Sequence, residues 1–281
     1  MAFPGRREGA EEPAMVAETL TTTQMLVYGA GASAAAGLAT GVGALPGLYF
    51  RNLSRRTLDA LLGFAAGVML AATAFSLIVP GVEYGEAIYG SSLWAVAVMV
   101  GGMLFGAVFL DRCDKWLPHE HLFKGHEGPS SSLRKTWLFV LAITLHNFPE
   151  GLAVGVGFGG GTSESIRQGT TLALGIGLQN MPEGLAVLLP LMREGYSPAK
   201  ALWIATATGL VEPIAGVLGA GLVSVFAPLL PFGMAFAAGA MLFVISDEII
   251  PETHRGGFER VATFGVMIGF VVMMAMDILL G

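Results

Sequence analysis

The chain has 281 residues, 54% of them hydrophobic and 13% charged, and a formal net charge of −6. Soluble domains carry about 25% charged residues, so this composition excludes an ordinary soluble domain. The acidic balance, with no basic cluster interleaved by aromatics, excludes a nucleic-acid partner, and the single cysteine, Cys113, excludes an intrachain disulfide or a thiolate metal cluster.

Residues 1–24 are polar, with Glu8, Glu11, Glu12 and Glu18 and a threonine run at 21–23. They lack the basic-then-apolar order of a secretory signal and read as a short disordered tail. The remainder, residues 25–281, carries eight apolar stretches near the length of about 20 residues that crosses a bilayer. Their limits are 25–50, 57–80, 92–110, 136–159, 170–191, 200–227, 230–250 and 261–280. The fold class expected is therefore an all-α integral membrane protein of eight transmembrane helices. Forty glycines fit a bilayer bundle, where small residues let helix backbones approach.

Twelve of the fifteen basic residues fall between spans one and two, three and four, five and six, or seven and eight, and only Arg6, Arg7 and Arg167 fall on the other side. The positive-inside bias places the twelve in the cytoplasm and both termini outside.

In chain order, Asp59 begins span two on the cytoplasmic side. Met69 lies inside that span and, taken alone, reads as core packing, since methionine is a common gap-filler. Ser76, further along, is placed to line an entrance. After span three comes a polar loop with Asp114, His119, Glu120, His121, His126 and Glu127, where a histidine cluster can take metal weakly at the exit of a pathway. Asp247, Glu248, Glu252 and His254 end span seven on the same side. Asp277, near the outer end of span eight, has no partner readable in the sequence.

The most informative feature is a repeat. His146-Asn147-Phe148-Pro149-Glu150-Gly151 in span four is echoed by Gln179-Asn180-Met181-Pro182-Glu183-Gly184 in span five. A charged residue at the centre of a spanning helix costs about 2.5–3.5 kcal/mol, so two glutamates at such depth need a compensating cation. Positions i and i+4 share a helix face, which pairs His146 with Glu150 and Gln179 with Glu183. Because consecutive spans are antiparallel, His146 should lie near the depth of Glu183, and Glu150 near that of Gln179. The set offers an imidazole nitrogen, two carboxylates and an amide oxygen. It suits zinc, iron or manganese better than calcium, and the lack of thiolates disfavours copper(I). Pro149 and Pro182 cannot donate to the carbonyls of Leu145 and Leu178, freeing an acceptor in each helix. Transporters build ion sites at such interruptions.

This motif pair on consecutive membrane helices resembles the ZIP family of Zrt/Irt-like metal transporters in a prokaryotic form, from about residue 25 onward. The resemblance implies an eight-helix transporter that moves zinc, or the related ions Cd2+, Fe2+ or Mn2+, into the cytoplasm across a bacterial inner membrane. It maps the transport site to His146, Asn147 and Glu150 on span four and to Gln179, Asn180 and Glu183 on span five. Met69 matches a thioether ligand, and Glu212 matches an acidic ligand of a second metal site. In bacterial relatives the position matching Asn180 can be aspartate, so asparagine removes one negative charge from that second site. The resemblance also supports Asp59, Asp114 and Glu248, beside His119 and His121, as an exit site.

No enzymatic role is expected. A His-Glu-x-x-His helix motif is absent, and so is a phosphate-binding Gly-x-x-x-x-Gly-Lys-Ser/Thr loop. A divalent cation channel with the same ligands is the alternative reading, and an exporter is opposed by the motif pair. Partners are divalent metal ions and the lipid bilayer. The oligomeric state is open, a homodimer being one option.

Overall fold

The structure, a computed structural model, describes residues 20–121, 125–127 and 135–281. Within them eight helical spans are long and apolar enough to cross a membrane: Thr22–Tyr49, Arg55–Tyr89, Ser92–Trp116, Thr136–Gly157, Ser163–Arg193, Pro198–Val225, Ala227–Thr253 and Glu259–Leu280. They are numbered one to eight below.

The helix ends differ from the expected limits where capping outweighs hydropathy. Thr21 caps the first span by accepting from the Gln24 backbone, and Gln24 returns the bond. Part of the threonine run thus opens the helix. Span two runs on through Glu83 and Glu86 to Tyr89, where Gly90, at φ 64°, supplies the left-handed stop. Span five begins at Ser163 because Thr162 and Ser165 form a reciprocal cap.

The spans pack as two groups. Spans one, four, five and six contact one another extensively, and so do spans two, three, seven and eight. Spans two, four, five and seven are the most enclosed, and spans three and eight the least. The two groups meet where span two touches span five and span seven touches span four.

Three irregularities shape the inner helices. Spans two and seven each contain a wide π segment, Ala72–Ile78 and Ile245–Ile249. Each segment ends two residues before a proline, Pro80 or Pro251. Proline lacks an N–H and its ring crowds the carbonyl four residues back, and a wider turn relieves that contact. Span six breaks at Leu210, because Pro213 cannot donate to Gly209, so Glu212 opens a fresh helical segment.

Close approach requires glycine at the two motif positions. A Cβ on Gly151 would collide with the backbone of Glu212, and one on Gly184 with the carbonyl of Thr40. The glycine of each Pro-Glu-Gly therefore seats a neighbouring helix, span six in one case and span one in the other.

The segment after span three folds into a short antiparallel hairpin, β1 (His119–His121) with β2 (Gly125–Glu127), pairing Glu120 with His126. The β1 strand lies against span four. The side chains of His119 and His121, and residues 1–19 of the polar N-terminal segment, lie outside the described residues, as do the expectations attached to them.

Candidate metal centre

The repeated motifs face each other where the two helix groups meet. His146, Asn147 and Glu150 come from span four, Gln179, Asn180 and Glu183 from span five, Glu212 from span six and Glu248 from span seven. None of the eight is more than 4% exposed. At that depth each polar atom has to find a protein partner or a cation.

The inverted order of the two motifs brings the residues into two levels. At one level Glu150 interacts with Glu183, Glu212 and the amide of Gln179. At the other, His146 interacts with Glu183, Asp114 and Glu248. Glu183 belongs to both levels. This is the pairing of depths that antiparallel neighbours dictate.

Four hydrogen bonds and ion pairs fix the surroundings. His146 Nε2 is 2.5 Å from Glu248 Oε2. Gln179 Nε2 donates to Asn180 Oδ1 at 2.6 Å. Asn180 Nδ2 donates to Glu212 Oε1 at 2.6 Å and to the Ala36 carbonyl at 2.9 Å. In contrast, neither oxygen of Glu150 or Glu183 has a donor in hydrogen-bonding geometry among the described residues, although Gln179 is near Glu150. The same holds for both polar atoms of the Asn147 amide and for Gln179 Oε1. An unsatisfied buried polar group costs about 1–3 kcal/mol, and more when charged. Such a cluster is an unsolvated set of oxygen ligands facing one another. Among the described residues no three His, Cys, Asp or Glu side chains already stand in a metal-holding arrangement.

A cavity of about 40 Å³ opens beside His146, Glu183, Glu248 and Glu252, walled by Leu62, Phe139 and Ile143. A void above about 10–15 Å³ has room for a water molecule.

The other sequence candidates are distributed as follows. Met69 is buried in the apolar cluster with Val154 and Ile176, one helical turn before Thr73, whose hydroxyl caps its carbonyl. Asp114, at the end of span three, is buried and acts on His146. Asp59 is ion-paired to Arg55 at 2.7 Å, and Arg55 also donates to the Glu252 carbonyl at 2.8 Å. Asp59 thus sits in a brace between spans two and seven. Ser76 is buried rather than open to an entrance, and it supplies the partner of Asp277, its hydroxyl donating to Oδ1 at 2.7 Å. Sequence reasoning missed the direct contact of Glu248 with His146. Glu248 is followed directly by Ile249 and Ile250 at the end of an apolar span, which places it near the bilayer, but its partner depends on how span seven registers against span four.

The family model described as ZIP Zinc transporter matches residues 117–277. Zinc transporter ZIPB of Bordetella bronchiseptica is 48% identical over 244 residues, covering 86% of this chain and 78% of that protein. Zinc transporter GufA of Myxococcus xanthus is 48% identical over 253 residues, covering 89% of this chain and 98% of that protein. Zinc transporter ZIP11 of Homo sapiens is 36% identical over 321 residues, covering 86% and 94%.

Proposed function

The chain belongs to the ZIP zinc transporter family, and from that membership we propose that it carries zinc into the cytoplasm through the cluster between spans four and five. The observation that carries the proposal is the pair Glu150 and Glu183, two buried carboxylates acting on each other whose oxygens find no donor in hydrogen-bonding geometry among the described residues. Mutual repulsion at low effective dielectric makes that pair costly unless a cation lies between them. A divalent ion relieves both charges at once. His146 adds a nitrogen ligand, Gln179 and Asn147 add amide oxygens, and this set matches the preferences of zinc.

The path follows from the same residues. Zinc sheds water as carboxylate oxygens replace its hydration shell. From Glu183, which belongs to both levels, the ion passes to the cavity lined by His146, Glu248 and Glu252. The positive-inside bias of the sequence supports an exit at this end, where Asp114 and the Arg55–Asp59 brace lie. Both termini are then outside the cytoplasm, and the protein is expected in a bacterial cell membrane. Cadmium, iron(II) and manganese(II) accept the same ligands and are candidate cargoes.

Reconstituted vesicles test this. Saturable zinc uptake is expected from the unmodified chain, with uptake abolished in Glu150→Ala and Glu183→Ala although both variants insert. Competition by cadmium, iron(II) and manganese(II) ranks the cargoes. Near-normal zinc uptake in either variant overturns the site, and single-channel currents in place of saturable uptake favour a pore.

A further inference from the structure

Asn180 occupies the position after Gln179 in the second motif, and all of its hydrogen-bonding atoms are engaged. The residue is fully enclosed. Its Nδ2 faces two oxygens, the Ala36 carbonyl of span one at 2.9 Å and Glu212 Oε1 of span six at 2.6 Å. A backbone carbonyl can only accept, so the side that faces it must be the NH2 group. Asn180 Oδ1 is then directed at Gln179, and only the nitrogen of that amide can approach it at 2.6 Å. Gln179 Oε1 is left over, buried and without a donor among the described residues.

We infer that Asn180 is a positioning residue: through one fixed chain of hydrogen bonds it holds the Gln179 NH2, so that the amide oxygen is the atom left free for the transported cation. The inference rests on the transport site proposed above and assigns Asn180 a role other than metal ligation. The orientation originates at a backbone atom. Ala36 is held in span one, whose neighbours Gly37 and Thr40 pack directly against spans six and five. A flipped Gln179 would set its oxygen against Asn180 Oδ1 and toward the Glu150 carboxylate, where its NH2 now lies, so the network admits one arrangement. The same bonds hold Glu212 to Asn180. One oxygen of the carboxylate implied for a second metal is thereby held by a donor, while the other, Oε2, is buried without a donor among the described residues.

A double-mutant cycle on zinc binding by the purified full-length chain tests the relay. Partners that orient a metal ligand typically contribute about 10–100-fold in affinity. Asn180→Ala and Gln179→Ala are each expected to weaken zinc within that range. The double variant should be no more than about threefold weaker than the weaker single, because both changes remove the same oxygen. Multiplying losses would overturn the inference, since a ligand or a merely structural residue acts independently of Gln179. Asn180→Asp covers the case in which Asn180→Ala does not fold. Aspartate keeps an acceptor for Gln179 Nε2, so Gln179→Ala should still weaken zinc in that background about as much as in the unmodified chain. No effect of Gln179→Ala there would overturn the relay. If zinc affinity survives both Gln179→Ala and Glu150→Ala, the transport site itself is misplaced. If Gln179→Ala weakens zinc and Asn180→Ala does not, the relay alone fails.

Discussion

His146 Nε2 lies 2.5 Å from Glu248 Oε2, so the imidazole of the first motif joins span four of one helix group to span seven of the other. A zinc ion that binds His146 at Nε2 has to displace this carboxylate or take it as a further ligand, and one that binds at Nδ1 leaves Glu248 to orient the ring from the other nitrogen. In each case Glu248 is expected to act during passage to the cavity it lines. Replacing Glu248 with Gln keeps the shape and removes the charge. Zinc transport is expected to slow by about 10–100-fold, the range seen when partners of metal ligands are changed. Initial uptake rates in vesicles give the answer, and an unaltered rate would remove Glu248 from the path.

Acid should weaken zinc binding. Imidazole coordinates only when neutral and carboxylates bind best when ionised, so the metal-free site holds more protons than the loaded one, and lowering pH favours the metal-free state. The apparent KM for zinc is therefore expected to rise as pH falls from about 7.5 to about 5.5, with a smaller rise in His146→Ala, where the imidazole no longer competes. A KM that stays flat in the unmodified chain argues against coordination by His146.

The motif glycines should be intolerant of side chains for a packing reason alone. Gly184 admits the Thr40 carbonyl where a Cβ would stand, whereas a Cβ on Gly31 meets nothing. Gly184→Val is expected to destabilise the protein by at least about 1–3 kcal/mol, the usual cost of overpacking. Gly31→Ala should be neutral or slightly stabilising, since alanine favours helix over glycine by about 1 kcal/mol. Thermal unfolding of the two purified variants decides, and equal midpoints would contradict the packing described.

The orientation is checked at the hairpin. In a background without Cys113, a cysteine replacing His121 should react with an impermeant thiol reagent only after the membrane is opened. Labelling from outside intact cells would invert the topology.

Much of the architecture was legible because a bilayer leaves few choices. Eight apolar stretches become eight helices, and the i,i+4 spacing of His146 with Glu150 and of Gln179 with Glu183 fixes which side chains share a face before any packing is known. The repeat then assigns the depths, because adjacent spans run in opposite directions. Contacts across distant spans were not legible. The Glu248–His146, Ser76–Asp277 and Asn180–Ala36 contacts each depend on the rotation of one helix about its axis, which hydropathy does not encode. The π segments compound this, since each changes the helix periodicity and turns the residues beyond it relative to an α-helical count. The role of Gly151 was hidden for a related reason. Its neighbour, Glu212, sits just past a break in span six whose position depends on Pro213.

The reciprocal contact of Gly37 with the backbone of Gly209 joins residues about 170 positions apart, and Gly184 likewise closes on Thr40. Ribosomes add about 5–20 residues per second, so the first span dwells in the lipid for about 10–30 seconds before its proper neighbours exist. During that interval its small-residue faces are bare, and a carbonyl destined for Asn180, that of Ala36, is satisfied only within its own helix. Biogenesis is thus a waiting problem: the segment made first is completed by segments made late.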